Sequence, residues 1–383
     1  MDLLLTPDEK LTLRDGTPWD AGRSAHSRPW PLPQTLAGML RSRAGLARGA
    51  DFFQKGGADI IEREVGLGLQ LPLLETCAGR QLLFPAPADA VCFPTAERTT
   101  IEVCTPRLHS LSDPWCDGLP ADWLAPVLDR AAKPDAEAPR WWCEAAFMGW
   151  VCGEFPGSAG SGVVARANLG RRGPLEHRRL HTAIDAATFT AKDGKLFGSH
   201  ELRFRDRDES WHIALRALLE NPDDAKSLTP ALHLGGDTQT VVSSAENIAW
   251  PVFPEGASWE KQEFLKIRLL TPGDFGSWVP DWLTPGDWRT VPGTQHVVKL
   301  RSAFVPGGMP VSGWDFKARG PKATRLLVPA GSVYVVQLRE PDAAAALARH
   351  LWLAPLVRPA VNRQATGFGH VVPGLLHHSV TPL

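Results

Sequence analysis

The chain has 383 residues, enough for two ordinary domains or one elaborated domain, and its 43% apolar and 22% charged residues suffice for a globular core. A formal net charge of -1 and a pI near 6.9 exclude a polycation, so any nucleic-acid partner must be met by local basic patches. Glycine (35) and proline (34) predict long shaped loops between short elements, and no apolar run approaches the roughly 18 residues of a membrane span.

Leu3–Leu5 and Leu11–Leu13 read as a strand turned near Pro7–Asp8, followed by an Arg14-Asp15-Gly16 turn and a loop punctuated by Pro18, Pro29, Pro31 and Pro33. A helix is predicted from Thr35 to Ala47, because Leu36, Met39, Leu40, Ala44 and Ala47 recur at helical spacing. Arg41, Arg43 and Arg48 fall off that stripe. Residues 50–160 are the least regular, with apolar runs at Leu67–Leu74, Gln81–Phe84 and Val91–Phe93. Asp113–Arg140 reads as a surface insertion, and Phe155–Gly162 as a Gly/Ser-rich loop. Arg179–Phe204 is predicted to be a strand pair turning at Asp193-Gly194, since Asp-Gly between β-favouring runs is a hairpin signal. Trp211–Leu219 fits strand or short helix. His233–Ser243 holds a Gly235–Gly236 pair opening a further strand.

The second half repeats the rhythm: strand Phe264–Leu270, a short helical segment Gly276–Leu283, and strands Gln295–Phe304 and Arg325–Leu338. In the last strand Tyr334, Val336 and Leu338 face one way and Val333 and Val335 the other, the mark of a central position. Pro341 starts a helix to about Leu353, with Asp342 in its first turn and Ala343, Ala346, Leu347 and Leu351 on one face. Gly367–Gly374 closes with a glycine-rich turn and short strand. The fold class expected is α+β: two βαββαβ, ferredoxin-like (RRM-like) domains in tandem. The first takes residues 1–255 and carries the long loop insertions; the second takes residues 256–383.

The six cysteines (Cys77, Cys92, Cys104, Cys116, Cys143 and Cys152) contain no C-x-x-C pair. Buried reduced thiols are favoured over zinc held by Cys104, Cys116 and His109, and no metal or cofactor is expected. P-loop, H-E-x-x-H and G-x-S-x-G motifs are missing from the sequence, which leaves NTPase, zincin and hydrolase readings without support. Without a basic n-region before Leu3–Leu5 no signal peptide is read, and the expected location is cytoplasmic.

RNA contact needs cations for phosphate, flat groups for bases and backbone that can come close. Four segments offer these. Arg41 and Arg43, with Arg48, form the off-stripe face of the first helix. Arg166, Arg171, Arg172, Arg178 and Arg179 put five arginines in fourteen residues against the single acid Glu176, with His181 beside them. Lys317, Arg319, Lys322 and Arg325 surround Gly320-Pro321 between two predicted strands. Gly367, Phe368, Gly369 and His370 could present backbone N–H groups and a ring.

Six segments, in one order, resemble the RAMP-superfamily third subunit of the Cmr (type III-B) CRISPR complex. They are LTLRDGTPWDAG (Leu11–Gly22), PLPQTLAGMLRSR (Pro31–Arg43), RRLHTAIDAATFTAKDGKLF (Arg178–Phe197), LHLGGDTQTV (Leu232–Val241), RLLTPGDF (Arg268–Phe275) and SGWDFKARGPKATRLLVPAGSVYVV (Ser312–Val336). GFGHVVPG (Gly367–Gly374) follows them and is similar to the C-terminal glycine-rich loop of RAMP proteins. Trp19 departs from the Phe frequent in the family, and residues 50–170 have no counterpart in the resemblance.

The resemblance implies two ferredoxin-like domains in an antiviral-defence ribonucleoprotein. It implies contact with the 5′ repeat-derived tag of the crRNA and docking on the large palm-domain subunit. Neighbouring backbone RAMP subunits would lie alongside, and target RNA would be met only indirectly. The function expected is RNA binding without catalysis. A metal-free endoribonuclease using His181, or another of His26, His177 and His200, as base is the first alternative. A purely structural adaptor is the second.

Overall fold

The computed structural model describes residues 1–8, 10–13, 28–110, 120–155, 162–235, 239–256, 258–315, 320–357 and 366–382. It is a mixed α/β protein, mostly sheet with few helices. The first strand, β1 (Asp2–Pro7), is short, apolar on both faces and buried; β2 (Lys10–Leu11) follows it. Helix α1 (Pro33–Ala47) starts on Pro33, whose missing N–H costs nothing in a first turn, and buries Leu36, Ala37, Met39, Leu40 and Ala44. After α2 (Ala58–Glu64), β3 (Val65–Thr76) is buried along ten successive residues and pairs with β4 (Gly79–Pro85).

The stretch between β4 and the next long strand forms β5 (Val91–Pro94), β6 (Thr100–Cys104), β7 (Arg107–Ser110), β8 (Leu124–Val127), β9 (Trp141–Cys143), α3 (Glu144–Val151), β10 (Val163–Ala165), α4 (Arg166–Leu169) and β11 (Gly170–Arg171). Two long strands follow, β12 (Leu175–Ile184) and β13 (Ala191–Arg203), then β14 (Glu209–Leu219), α5 (Asp224–Ser227), β15 (Ala231–His233) and β16 (Thr240–Ala245). The 211–219 segment, left open between strand and helix, is the strand β14: both its neighbours, β1 and β3, offer it antiparallel ladders. The first sheet runs β11-β9-β4-β3-β14-β1-β16-β15.

The last third contains β17 (Phe264–Leu269), β18 (Arg289–Thr290), β19 (Val297–Phe304), β20 (Met309–Val311), β21 (Trp314–Asp315), β22 (Gly320–Pro321), β23 (Arg325–Leu327), β24 (Val333–Leu338), α6 (Ala344–Leu351), β25 (Val371–Gly374) and β26 (Thr381–Pro382). Its sheet runs β18-β19-β24-β17-β25, with every pair antiparallel.

Four sequence expectations change. The β12–β13 turn is Asp185–Thr190, where the Asp185 carboxylate accepts the N–H groups of Ala187 and Thr188; Asp193-Gly194 instead supplies a bulge within β13. The expected strand 325–338 is two strands, because Gly331 turns the chain under the Leu269 carbonyl and redirects β24 into the second sheet. Helix α6 begins only after a single 3₁₀ turn over Pro341–Ala343, and it buries Ala344, Leu347, Ala348 and Leu351 while Ala346 faces water. The helical segment expected at 276–283 is reduced to a 3₁₀ turn, Asp281–Leu283.

The first sheet separates two cores. Leu3 and Leu5 pack with α1 on one side. Leu4 and Leu71 join the opposite core, shared with the second sheet through Leu265, Ile267 and Val336 and with α6 through Leu347. The other face of β17 carries Phe264, Lys266 and Arg268, because side chains alternate along a strand. Lys266 (3% exposed) and Arg268 (1%) meet Asp89 (0%) from the loop between β4 and β5, at 2.7 and 3.6 Å. Trp150 donates its indole N–H to the second Asp89 oxygen at 3.1 Å. Burial alone would raise the Asp89 carboxyl, but Lys266 and then Arg268 outweigh it and hold it well below the ordinary carboxylate range. Burial pushes Lys266 down to about 8 despite Asp89.

Replacing Asp89 with Ala leaves two cations buried without a counter-charge, a change that costs about 3–5 kcal/mol in buried pairs. Asp122 lies partly in water and binds Lys299 at 2.6 Å; Asp122→Ala should cost no more than about 1 kcal/mol. Thermal unfolding of the two variants checks this, and equal midpoints would refute the central role of Asp89.

Candidate nucleic-acid interface

Most of the arginines singled out in the sequence are committed to holding the chain together. Arg41 donates to the Val65 carbonyl at 2.9 Å and pairs with Glu62 at 3.6 Å, so the helix face read as exposed is stapled to α2 and β3. Burial lowers its guanidinium, with Glu62 acting the other way. Arg48 grips Asp224 and Glu64, each at 2.6 Å. Arg43 is half-buried. Arg166 is bound to Asp135 and Arg172 to Glu137, while Arg171 reaches Glu209 at 2.5 Å and the Ala167 carbonyl at 2.7 Å. These acids are remote in sequence, which is why counting local charge missed them.

Lys317 and Arg319 lie outside the described residues, as do Cys116 and His26. Lys322 is exposed. Arg325 pairs with Asp274, bonds the Gln34 side chain and lies 5.9 Å from the Phe368 ring centroid. That ring packs against Leu32, Val311 and Leu327, so Phe368 is a packing residue.

The glycine-rich loop is interior. Gly367 has φ +77°, and a Cβ there would come within 2.7 Å of the Leu67 side chain, so glycine lets the loop seat on β3. Gly369 donates to the Pro272 carbonyl at 2.8 Å. His370 is buried: its N–H donates to Thr271 Oγ1 at 3.0 Å, and Nδ1 lies 3.3 Å from the Gly367 carbonyl. Burial lowers its imidazole to about 4, with the Gly367 carbonyl opposing weakly. A neutral buried ring offers no cation to phosphate, which removes His370 from the RNA-facing set in this chain.

What remains exposed is the β12–β13 pair, joined through β13 to β2 in a separate three-stranded sheet. Directly opposed residues share a face. The register sets His177 opposite Glu201, Arg179 opposite Ser199, and Arg203 opposite both Leu175 and Lys10. One face therefore carries Lys10, His177, Arg179, His181 and Arg203, with Glu201 its single acidic strand residue. Glu201 is buried between Lys10 at 2.8 Å and Arg179 at 3.6 Å. His181 Nε2 lies 2.7 Å from Ser199 Oγ. Arg178 is on the opposite face with exposed Leu180 and, across the strand pair, exposed Leu196; Phe189 is exposed in the turn. Lys10 and Arg203 escaped the sequence reading, since only cross-strand register brings them beside Arg179.

Among the described residues no cluster of three His, Cys, Asp or Glu is placed to hold a metal, and no helix is long and apolar enough to cross a membrane. Cys92 and Cys143 are buried thiols, and burial pushes Cys92 up to about 12. Cys77 is exposed, which the expectation of buried thiols did not foresee.

The buried His370 makes a pH prediction. The unfolded chain takes up a proton near pH 6.5 and the folded chain only near 4, so stability is lost as pH falls between these values. His370→Gln should shrink that loss by one proton's share, read as the difference in denaturation midpoint between pH 7 and pH 4.5; an unchanged difference refutes the assignment.

The sequence pattern of the family described as CRISPR-associated protein (Cas_Cmr3) matches residues 3–376. Among solved structures, the chain is similar to one in the type III-B Cmr-beta complex bound to cognate target RNA and AMPPnP, with 14% identity, 88% of this chain and 86% of that one covered, and a TM-score of 0.48. The same complex with cognate target RNA gives 14%, 88%, 86% and 0.46. A chain of the Csm3-Csm4 subcomplex of the type III-A CRISPR-Cas interference complex gives 12% identity, coverage of 89% and 94%, and a TM-score of 0.36. No curated protein matches. With nearly the whole chain spanned by one family pattern, the protein belongs to the CRISPR-associated Cmr3 family, the third-subunit type of the type III-B Cmr effector complex.

Proposed function

We propose that this chain is a non-catalytic RNA-binding subunit that holds the 5′ repeat-derived tag of the crRNA and docks on the large palm-domain subunit, beside the backbone RAMP subunits. The observation that carries the RNA reading is the cationic face of the β12–β13–β2 sheet. It gathers Lys10, Arg179 and Arg203 around one buried acid, in a protein whose net charge is -1. Cations projecting on a three-stranded sheet can meet successive phosphates, and the two histidines of that face add hydrogen-bonding groups. Family membership makes crRNA the RNA of choice.

The same proposal includes two ferredoxin-like units, divided near residue 255. It is supported by the strand order β3-β14-β1-β16 in the first sheet and β19-β24-β17-β25 in the second. In both, the first strand of the unit lies between its third and fourth, with α1 and α6 as crossover helices. The arginines bound to Asp135, Glu137 and Glu209 favour a scaffolding role for that segment, as an adaptor would have.

Replacing Arg179 and Arg203 with Ala should weaken binding of tagged RNA. It should also reduce the slope of log K against log salt by about 1.4, at about 0.7 per phosphate contact. Unchanged affinity and slope in an electrophoretic or fluorescence titration would refute this interface.

Repeat-containing RNA should stay intact with the purified chain, with or without Mg²⁺. Cleavage that disappears in His181→Ala would replace this reading with the endoribonuclease one.

A further inference from the structure

We propose that residues 375–382 form a strap docked on the second sheet, and that the strap lets go as pH falls because His377 must leave Lys266 to take up a proton; this goes beyond the RNA-binding reading and does not rest on it. Three elements meet under the segment. The Leu375 N–H donates to the Val151 carbonyl at the end of α3, at 2.8 Å. Leu376 and Val380 pack against Leu108 of β7, Leu124 of β8 and Val335 of β24. Strand β26 then adds to the edge of β7 as a parallel strand, with Thr381 opposite His109 and Pro382 opposite Ser110. A parallel pair that short contributes little by itself. The anchor is His377. Its ring lies on Trp150 with centroids 3.8 Å apart, and its Nδ1 lies 2.9 Å from Lys266 Nζ.

An ammonium has no lone pair to give, so Lys266 donates and His377 Nδ1 accepts. The ring proton is then on Nε2, which is buried and has no hydrogen-bond partner among the described residues. A second proton can enter only at Nδ1, where it replaces the Lys266 bond with two cations face to face. Asp89 does not offset that repulsion, since it already answers both Lys266 and Arg268. Burial, and then the Lys266 charge, hold the docked imidazole far below its ordinary 6.5; Asp89 opposes, while Arg268 and His378 add to the effect. His378, more exposed, is lowered in the same direction by burial, Arg107 and Lys266. Lys266 itself titrates only at about 8, and Glu263, which lines the same cavity, is bound to Gln337 at 2.7 Å. Below pH 6.5 the docked strap therefore holds one proton fewer than the released one, so docking is strongest at neutral pH and weakens as pH falls. Release uncovers the backbone edge of β7 and the Lys266 ammonium.

The test is amide hydrogen exchange of the full chain at pH 7.5 and pH 5.0, corrected for intrinsic rates and read on residues 375–382 and on α6. One proton taken up against an ordinary value of 6.5 should lower protection of the strap about thirtyfold at pH 5.0. Helix α6, packed in the shared core, should stay better protected than the strap at both pH values. His377→Gln keeps an acceptor for Lys266 without a titrating ring, and its strap should change no more than about threefold between the two pH values. A His377→Gln strap that is unprotected at both pH values also upholds the switch, because the pH dependence has gone with the ring. Wild-type protection that is the same at both pH values overturns it, as does a His377→Gln strap that keeps the thirtyfold loss. Equal protection of strap and α6 overturns it too, since the segment would then open only with the whole fold.

Discussion

One carboxylate stands against two cations in the interior of this protein. Lys266 and Arg268 lie on the inward face of β17, the strand with neighbours β24 and β25 on its two sides, and Asp89 reaches them from the loop between β4 and β5. Taking charges out of water is costly, and it is tolerated here because Asp89 pairs with Lys266, receives the Trp150 indole and keeps its charge. The guanidinium of Arg268 fills the space above Gly374, where a Cβ would lie only 1.8 Å from Nη1. Strand β25, the β4–β5 loop and β17 are thus fitted to one another. Movement of any one would strand a charge in an apolar surrounding.

That clasp sets how the two sheets share a core. With the inward cations gathered against Asp89 on one face of β17, the other face is left wholly apolar, and Leu265, Ile267 and Leu269 join Leu347 and Leu351 of α6. The glycine-rich loop then seats on β3 and closes the contact between the sheets from the C-terminal side. A segment with the composition of a ligand-binding loop serves instead as a packed joint, because its ring nitrogen, amides and glycines are consumed inside the chain.

The β12–β13 pair is built on the opposite logic. Only its base, where Leu202 meets Leu11, enters a core; most of the outer part is exposed, with Lys10, Arg179 and Arg203 on one face and Leu180, Leu196 and Arg178 on the other. The face of Arg179 and the face of Leu180 are separated by no more than the alternation of side chains along one strand. A shift of register by one residue would exchange them.

By itself the sequence determined the elements whose signal is periodic or local: helix α1 with its apolar stripe, the central strand around Val333–Leu338, the strands at 264–269 and 297–304, and the family to which the ordered motifs belong. Local charge counting singled out the stretch containing Arg178 and Arg179, and the strand register sets the two on opposite faces. It went wrong where the deciding partner is far away in the chain. Arg48 is neutralised by Asp224, 176 residues on, Arg171 by Glu209 and Arg325 by Asp274. Arg203 and Lys10 gain their place beside Arg179 only through strand register. Tertiary structure decided which cations face water, because an ion pair forms between groups that folding brings within about 4 Å, and that distance is invisible along the chain.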